Sequence, residues 1–300
     1  MPKKNIYIYL HCACIGNWKE VLGKIKKNIN SSGLYEKANE IRCSVIGDVS
    51  EFLSFMDHGE KYKVIFHSNE SQYLKSNWHK QTEHLNLFKA FSSKSKLTLK
   101  EIDNYDNPDW WTPETEKNMP VGRPIHNEQI IIDQIHKDAQ EEDAYVCYIH
   151  TKGVKRYVEE GEKYKFMRDW LDLLLYFNIQ KHVNMIECLD EFDVAGIGLI
   201  TWVSPEQRMK DNGIIRKTLP SKGDRPIFDG NFWWSKSRYL RTLDPTLSVG
   251  YVGPELWVTQ IPESKLISLW NSEKDHYSES YDSSEYIGKK LQRHTYKGEK

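Results

Sequence analysis

The segment FDGNFWWSKSRYL brings together residue types that bind polar, ring-shaped ligands. Asp229 and Asn231 offer hydrogen-bonding groups, and Gly230 between them lets the backbone approach a ligand closely. Trp233 and Trp234 point to opposite faces if the segment is extended, so that one indole packs inward while the other meets a ligand. Indole rings stack on the apolar faces of pyranose sugars, and the composition therefore suits a carbohydrate. The alternative is that both tryptophans belong to the core.

The motif YIHTKGVKR places a second group of candidate binding residues after an apolar run. His150 and Thr151 supply a ring nitrogen and a hydroxyl, and Lys152 supplies a point cation able to neutralise a diphosphate leaving group. Gly153 again permits close approach of the backbone. The alternative is an exposed basic turn in which His150 is an ordinary structural histidine.

A candidate general base lies in the motif GPELWV. Glu255 stands between a Gly-Pro turn and the apolar Leu256, where partial burial would suit a carboxylate to general-base work. Asp229 is the rival carboxylate. The alternative is that Glu255 is a helix-start glutamate with no part in chemistry.

Strands and helices alternate in the part of the chain that must position these residues. The runs NIYIYLHCACI, EIRCSVIGD, KYKVIFHS and AYVCYIH are typical of strands, and apolar residues from Trp18 to Ile29 recur at helical spacing. This alternation predicts an α/β fold with a mostly parallel sheet flanked by helices. Ligands bind at the carboxyl ends of such strands, where His11, Asp48 and His150 lie.

Composition, charge and missing motifs argue against several classes of protein. The 300 residues carry a formal net charge of -1, which leaves no overall basic field to attract nucleic acid. The five cysteines lie mostly in apolar runs, so we expect reduced thiols in the core. We find no secretory signal and no apolar run of membrane-spanning length, and we expect a cytoplasmic protein. The fingerprints of dinucleotide-binding and P-loop proteins are also missing from the sequence.

We expect a single main domain, residues 1–270, followed by a polar C-terminal tail or peripheral cap, residues 271–300. The tail is predicted because its sequence is polar and its tyrosines are scattered. The polar, proline-punctuated stretch from Ser68 to Arg123 predicts a helix and an excursion from the sheet.

The motifs resemble a group of glycosyltransferases of bacteria and large DNA viruses with a GT-A-like nucleotide-sugar fold. The likeness covers most of residues 5–260 and rests on IYIYLHCACIGNWKEVL, SSGLYEKANEIRCSVIGD, YIHTKGV, FDVAGIGL and FDGNFWWSKSRYLRTLDP with GPELWV. It implies a Rossmann-type sheet in which about residues 1–155 bind the sugar nucleotide and about residues 156–270 receive the acceptor. The implied activity is inverting transfer of a hexose or pentose from a nucleoside diphosphate, with uridine diphosphate favoured, to a glycan hydroxyl.

The motifs, together with the resemblance, predict roles for individual residues. The catalytic carboxylate is Glu255, with Asp229 as its rival. The donor-binding residues are His11, Asp48, His150, Thr151, Lys152 and Arg168. The residues that hold the sugar and the acceptor are Gly230, Asn231, Trp233, Trp234 and Trp257. His-Thr-Lys stands where most such enzymes carry an Asp-x-Asp metal motif, which puts dependence on Mn²⁺ or Mg²⁺ in doubt and leaves any metal ligands unassigned.

Two other classes of protein compete with the transferase. A non-catalytic carbohydrate-binding protein would use the same tryptophans but would have no use for a nucleotide pocket at the strand ends. A nucleic-acid-binding protein would use the basic residues of HTKGVKR together with stacking aromatic rings, and the near-neutral charge argues against it.

Overall fold

The computed structural model describes residues 4–56, 61–68, 128–154, 164–201, 220, 225–245 and 253–297. Its strands are β1 Asn5–Ala13, β2 Glu40–Ile46, β3 Tyr62–Ser68, β4 Ala144–His150, β5 Val194–Gly196, β6 Leu199–Thr201, β7 Pro226–Phe228, β8 Trp233–Lys236, β9 Lys265–Ser268 and β10 His294–Lys297. Its α-helices are α1 Trp18–Ser31, α2 Leu34–Lys37, α3 Val49–Met56, α4 Gln129–Glu141, α5 Tyr164–Leu175, α6 His182–Cys188, α7 Ser237–Leu240 and α8 Gly253–Trp257. A π-helical turn, Tyr176–Gln180, joins α5 to α6, and a 3₁₀ turn spans Ser283–Glu285.

A large central sheet organises the chain. Its eight strands run in the order β10-β9-β5-β8-β4-β1-β2-β3, and β6 pairs with β7 in a separate ribbon. Within the group β1 to β4, all paired strands are parallel. Strand β8 runs antiparallel to both β4 and β5. The predicted α/β class, with a mostly parallel sheet flanked by helices, is confirmed.

The two faces of the sheet are covered by different helices, and the side chains of β1 contact both sets. Ile8 and Leu10 pack on the face covered by α1 and α5. Tyr7 and Tyr9 pack on the opposite face, with the apolar residues of α4. Since side chains alternate along a strand, His11 points to the same face as Tyr9. This face is the one on which the candidate site is built.

The predicted amphipathic helix after β1 is confirmed as α1, with the buried residues Trp18, Val21, Leu22, Ile25 and Ile29. None of the five cysteines forms a disulfide, and all but Cys14 are buried, as expected for core thiols. In the described part of the chain, no helix is long and apolar enough to cross a membrane. The helix and excursion predicted between Ser68 and Arg123 lie outside the described residues.

The tryptophan pair of β8 is a core feature. Trp233 and Trp234 do point to opposite faces, but their exposed fractions are only 1% and 0%. The Trp234 indole N–H donates to the backbone carbonyl of Asn178 at 2.8 Å, so even its polar atom is used internally. Trp257 is 2% exposed and packs on the same face as Trp233. The expectation that these indoles meet a sugar is therefore corrected, because burial leaves no ring face for a ligand.

The C-terminal segment is part of the folded body. Strand β10 pairs with β9 at the edge of the central sheet, and the rings of Tyr281 and Tyr286 are buried. The Tyr281 hydroxyl accepts a hydrogen bond from the Trp270 indole N–H at 2.9 Å. The predicted tail is therefore wrong for residues 271–297. The sequence of this segment is polar, but the rings of its tyrosines pack inward, and the hydroxyl of Tyr281 is hydrogen-bonded inside the fold.

Truncation tests this correction. We expect a chain ending at Trp270 to lose more than about 3 kcal/mol of unfolding free energy or to fail to fold, because burying an aromatic side chain contributes about 1.5–3 kcal/mol. The measurement is urea unfolding followed by tryptophan fluorescence. The control is a chain ending at Lys297, which we expect to match the full-length protein. Full stability of the shorter chain would restore the tail interpretation.

Candidate functional site

The central sheet contains a topological switch point between β1 and β4. From β1 the chain moves outward to β2 and β3 and then returns to β4 on the other side of β1. Connections leaving in opposite directions open a crevice at the carboxyl ends of the two strands, where α/β proteins bind ligands. His11 and His150 face each other across this point as partners in the pairing of β1 with β4. Two of the strand-end residues named from the sequence are therefore neighbours in the sheet.

Both histidines are neutral at pH 7. Burial lowers the pKa of His11 to about 4, and its Nδ1 lies 3.3 Å from the Ser44 hydroxyl. Burial and the charge of Lys152 lower the pKa of His150 to about 3. His150 Nε2 lies 3.0 Å from the Gly230 carbonyl oxygen and therefore carries the proton that it donates. This bond connects the end of β4 to the turn before β8.

Glu128, just before α4, is the residue at the centre of this arrangement. Its Oε2 accepts a hydrogen bond from the Asn231 amide at 3.1 Å, and its Oε1 lies 3.6 Å from His150 Nδ1. The Asn231 carbonyl oxygen accepts in turn from the Trp233 indole at 3.2 Å. Asn231 also holds a left-handed backbone with φ 56°, which asparagine tolerates better than most residues. Sequence reasoning missed Glu128 because the motif analysis examined strand ends, and Glu128 precedes a helix.

Thr151 and Lys152 have different roles at the end of β4. The Thr151 backbone N–H donates to the His11 carbonyl, and its hydroxyl accepts from the Ala13 N–H, both at 3.0 Å. Thr151 therefore ties β4 to β1. Lys152 extends its ammonium group to 4.2 Å from the centre of the Trp170 ring, a cation–π contact. Lys152 is thus a cation placed beside an aromatic wall.

Asp229 and Gly230 form the turn that precedes Asn231. The Asp229 backbone N–H donates to the Gly198 carbonyl at 2.8 Å, and Asp229 also borders a small cleft between the β6–β7 ribbon and the segment after β9. Gly230 is buried with φ 96°, and a Cβ there would lie 2.9 Å from Leu174. Gly230 is therefore required by packing and backbone conformation.

Glu255, the other carboxylate considered for catalysis, lies in the short helix α8. Its charge reaches Tyr148, a fully buried residue of β4 two positions before His150. Burial, the charge of Glu128 and the charge of Glu255 raise the pKa of the Tyr148 phenol. Glu255 and Glu128 therefore both lie near enough to Tyr148 for their charges to act on its phenol.

Two predicted donor-binding residues make contacts outside this group. The exposed Asp48 carboxylate accepts a hydrogen bond from the Glu51 backbone N–H at 2.9 Å, at the start of α3. Asp48 follows the carboxyl end of β2, the strand that pairs with β1. Arg168 forms a surface ion pair with Glu20 of α1 at 2.8 Å. It belongs to α5, the helix whose Trp170 ring contacts Lys152.

The end of β4 offers few of the ligands that Mg²⁺ or Mn²⁺ prefers. These hard cations prefer several carboxylate oxygens, whereas the strand end carries imidazole, a hydroxyl and an ammonium group. Within the residues that the structure describes, no group of three or more His, Cys, Asp or Glu side chains is arranged to hold a metal ion.

The sequence matches no protein-family model, and comparisons with curated proteins and with solved structures found no significant match. The functional argument therefore depends on the site itself.

The buried histidines predict a pH-dependent stability. An unfolded histidine binds a proton near pH 6.5, whereas folded His11 does so only near pH 4, so stability is complete above pH 6.5 and falls on acidification through this window. The expected loss from His11 is about 1.4 kcal/mol per pH unit. Urea unfolding between pH 7 and 4 measures it. His11→Asn should reduce the slope of unfolding free energy against pH by the contribution of about one proton. An unchanged slope would contradict the role given to His11.

Proposed function

We propose that this protein is a glycosyltransferase that moves a sugar from a nucleoside diphosphate to an acceptor hydroxyl. The observation that carries the proposal is the polar group at the switch point, where His11 is paired with His150, His150 bonds the turn of Asp229 to Asn231, and Lys152 follows at the strand end. A cation and a backbone turn suit the diphosphate, and carboxylate and amide groups suit sugar hydroxyls. The resemblance described from the sequence points to the same activity, with uridine diphosphate as the favoured carrier.

The donor would lie across the ends of β1 and β4. Lys152 would neutralise the charge that develops on the leaving diphosphate, and the Gly153 turn, with φ 82°, would let the backbone approach it. His150 donates its Nε2 proton to Gly230, so this histidine would position the turn rather than contact the phosphate. With both histidines neutral, Lys152 is the cation that the described residues of this strand end supply.

The acceptor would be activated by a carboxylate, and the geometry favours Asp229 for this role. Asp229 borders the open cleft, whereas Glu255 acts on the buried Tyr148. The acceptor hydroxyl would give its proton to Asp229 while its oxygen bonds to the anomeric carbon. The bond from that carbon to the diphosphate oxygen breaks, and the diphosphate leaves with the electron pair. Attack opposite the leaving group inverts the configuration.

A carbohydrate-binding protein without turnover is the second candidate. The observation that favours it is the position of Asp229 at the edge of this cleft, where its carboxylate would bind a glycan hydroxyl without any donor. A protein that only binds carbohydrate would have no need for Lys152 beside the histidines. Binding of a nucleoside diphosphate therefore separates the two candidates.

Paired carboxylate variants test the proposed chemistry. We expect Asp229→Asn to lower turnover by about 10² to 10⁴, the usual contribution of general-base catalysis, and Glu255→Gln to lower it less than about tenfold. The assay measures release of nucleoside diphosphate from a panel of sugar nucleotides in the presence of mixed acceptor sugars. The backbone N–H of residue 229 still donates to the Gly198 carbonyl in this variant, so the turn is preserved.

The reverse order of effects would transfer the base role to Glu255. Full turnover in both variants would contradict carboxylate catalysis at this site. If the unmodified protein releases no diphosphate from any donor, the carbohydrate-binding candidate is favoured.

A further inference from the structure

The turn that carries Asp229 is held from two sides by side chains of other elements. His150, at the end of β4, donates to the Gly230 carbonyl, and Glu128, just before α4, accepts from the Asn231 side chain. Glu128 and Asn231 are 103 positions apart, so only the folded chain brings them together. We propose that Glu128 is a positioning residue of the transfer reaction, which holds this turn in place through Asn231.

The donors and acceptors in this contact follow from the chemistry of the groups. An indole N–H can only donate, so the Asn231 atom that faces the Trp233 indole at 3.2 Å is the side-chain oxygen. The Asn231 amide N–H is therefore directed to Glu128 Oε2, at 3.1 Å. A carboxylate oxygen is a stronger acceptor for this N–H than a neutral oxygen. Trp233, Asn231 and Glu128 thus form a chain of hydrogen bonds with one direction.

The backbone of the turn explains why Asn231 needs an anchor. Asn231 has a left-handed backbone with φ 56°, a conformation that costs free energy in a non-glycine residue and persists where surrounding contacts enforce it. Its side chain has little access to water to replace a lost partner, because the residue is only 2% exposed. Gly230 before it is also left-handed, with φ 96°. Loss of the Glu128 carboxylate would therefore leave a buried amide N–H without its acceptor and release the strained turn.

The two supports of the turn lie side by side. Glu128 Oε1 is 3.6 Å from His150 Nδ1, a separation too long for a hydrogen bond. The proton of the neutral His150 ring is on Nε2, where it is donated to Gly230. Glu128 and His150 therefore hold successive residues of one turn, each through its own hydrogen bond.

This inference rests on the proposed function, because the turn positions a reacting group only if Asp229 receives the acceptor proton. Glu128 bonds the side chain two residues after Asp229, so its effect would reach the carboxylate through the backbone of the turn. A displacement of about 1 Å at a reacting group lowers a rate by about 10²-fold. Loss of an interaction that serves the chemical step lowers kcat, whereas loss of uniform substrate binding raises KM.

Variants of the two partners test the contact through release of nucleoside diphosphate from sugar nucleotides. Asn231→Asp places a second carboxylate against Glu128, and we expect kcat to fall about 10²-fold with little change in the KM for the sugar nucleotide. Glu128→Gln alone keeps an acceptor oxygen for Asn231 and should lower kcat by less than about tenfold. Glu128→Gln combined with Asn231→Asp again pairs an amide donor with a carboxylate, so it should recover at least about tenfold over Asn231→Asp. Glu141→Gln, at the exposed end of α4, should give no recovery in the same background.

The Trp233 indole N–H reports on the same chain without any activity. Glu128→Ala removes the acceptor of Asn231 and should shift the Trp233 indole resonance in ¹H–¹⁵N spectra, whereas Glu128→Gln should leave it close to its original position. Trp233→Phe identifies this resonance. The Trp234 indole, bonded to the Asn178 carbonyl, is the internal control and should not move in either variant.

No recovery in the double variant, or an unmoved Trp233 resonance in Glu128→Ala, would overturn the inference. A shifted resonance together with full turnover in Asn231→Asp would overturn the positioning role and leave the proposed function standing. If the unmodified protein releases no diphosphate from any donor, the proposed function fails and the positioning role fails with it. A shifted Trp233 resonance would then identify Glu128 as a structural anchor alone.

Discussion

The pairing of β1 with β4 is the constraint on which the candidate site depends. Main-chain hydrogen bonds along the two parallel strands put His11 directly opposite His150, and Thr151 continues the join beyond the last residue of β4. A shift of one residue in this register would move each histidine to the opposite face of the sheet. The apolar packing of β1 against helices on both faces opposes that shift, because it would also bury the wrong side chains.

The antiparallel strand β8 brings the second half of the site to the same edge. Because β8 runs opposite to β4, the turn that precedes it meets the end of β4, where His150 holds the Gly230 carbonyl. The buried indoles of Trp233 and Trp234 anchor this strand from both faces. Their function is therefore to fix Asp229, Gly230 and Asn231 in position, and the turn is the part of the motif that remains available for chemistry.

The sequence predicted those features that local patterns encode. The β-prone runs and helical spacing identified the parallel sheet and α1, and strand-end reasoning identified His11, His150 and Lys152. The same reasoning failed where tertiary packing decides. No spacing reveals that Glu128 meets Asn231 across more than 100 positions of chain. The cleft was likewise hidden, because Gly198, Asp229 and His276 come together only in the fold.

The most direct measurement of the central claim is the melting temperature in the presence of nucleoside diphosphates and their sugar derivatives, with and without Mn²⁺. A ligand that binds only the folded protein raises this temperature by mass action. The switch-point site predicts a rise with one nucleotide series, a smaller rise with the uncharged nucleoside, and loss of most of the diphosphate effect in Lys152→Met. An unchanged melting temperature with every member of the panel would contradict the account, as would a full diphosphate effect in Lys152→Met.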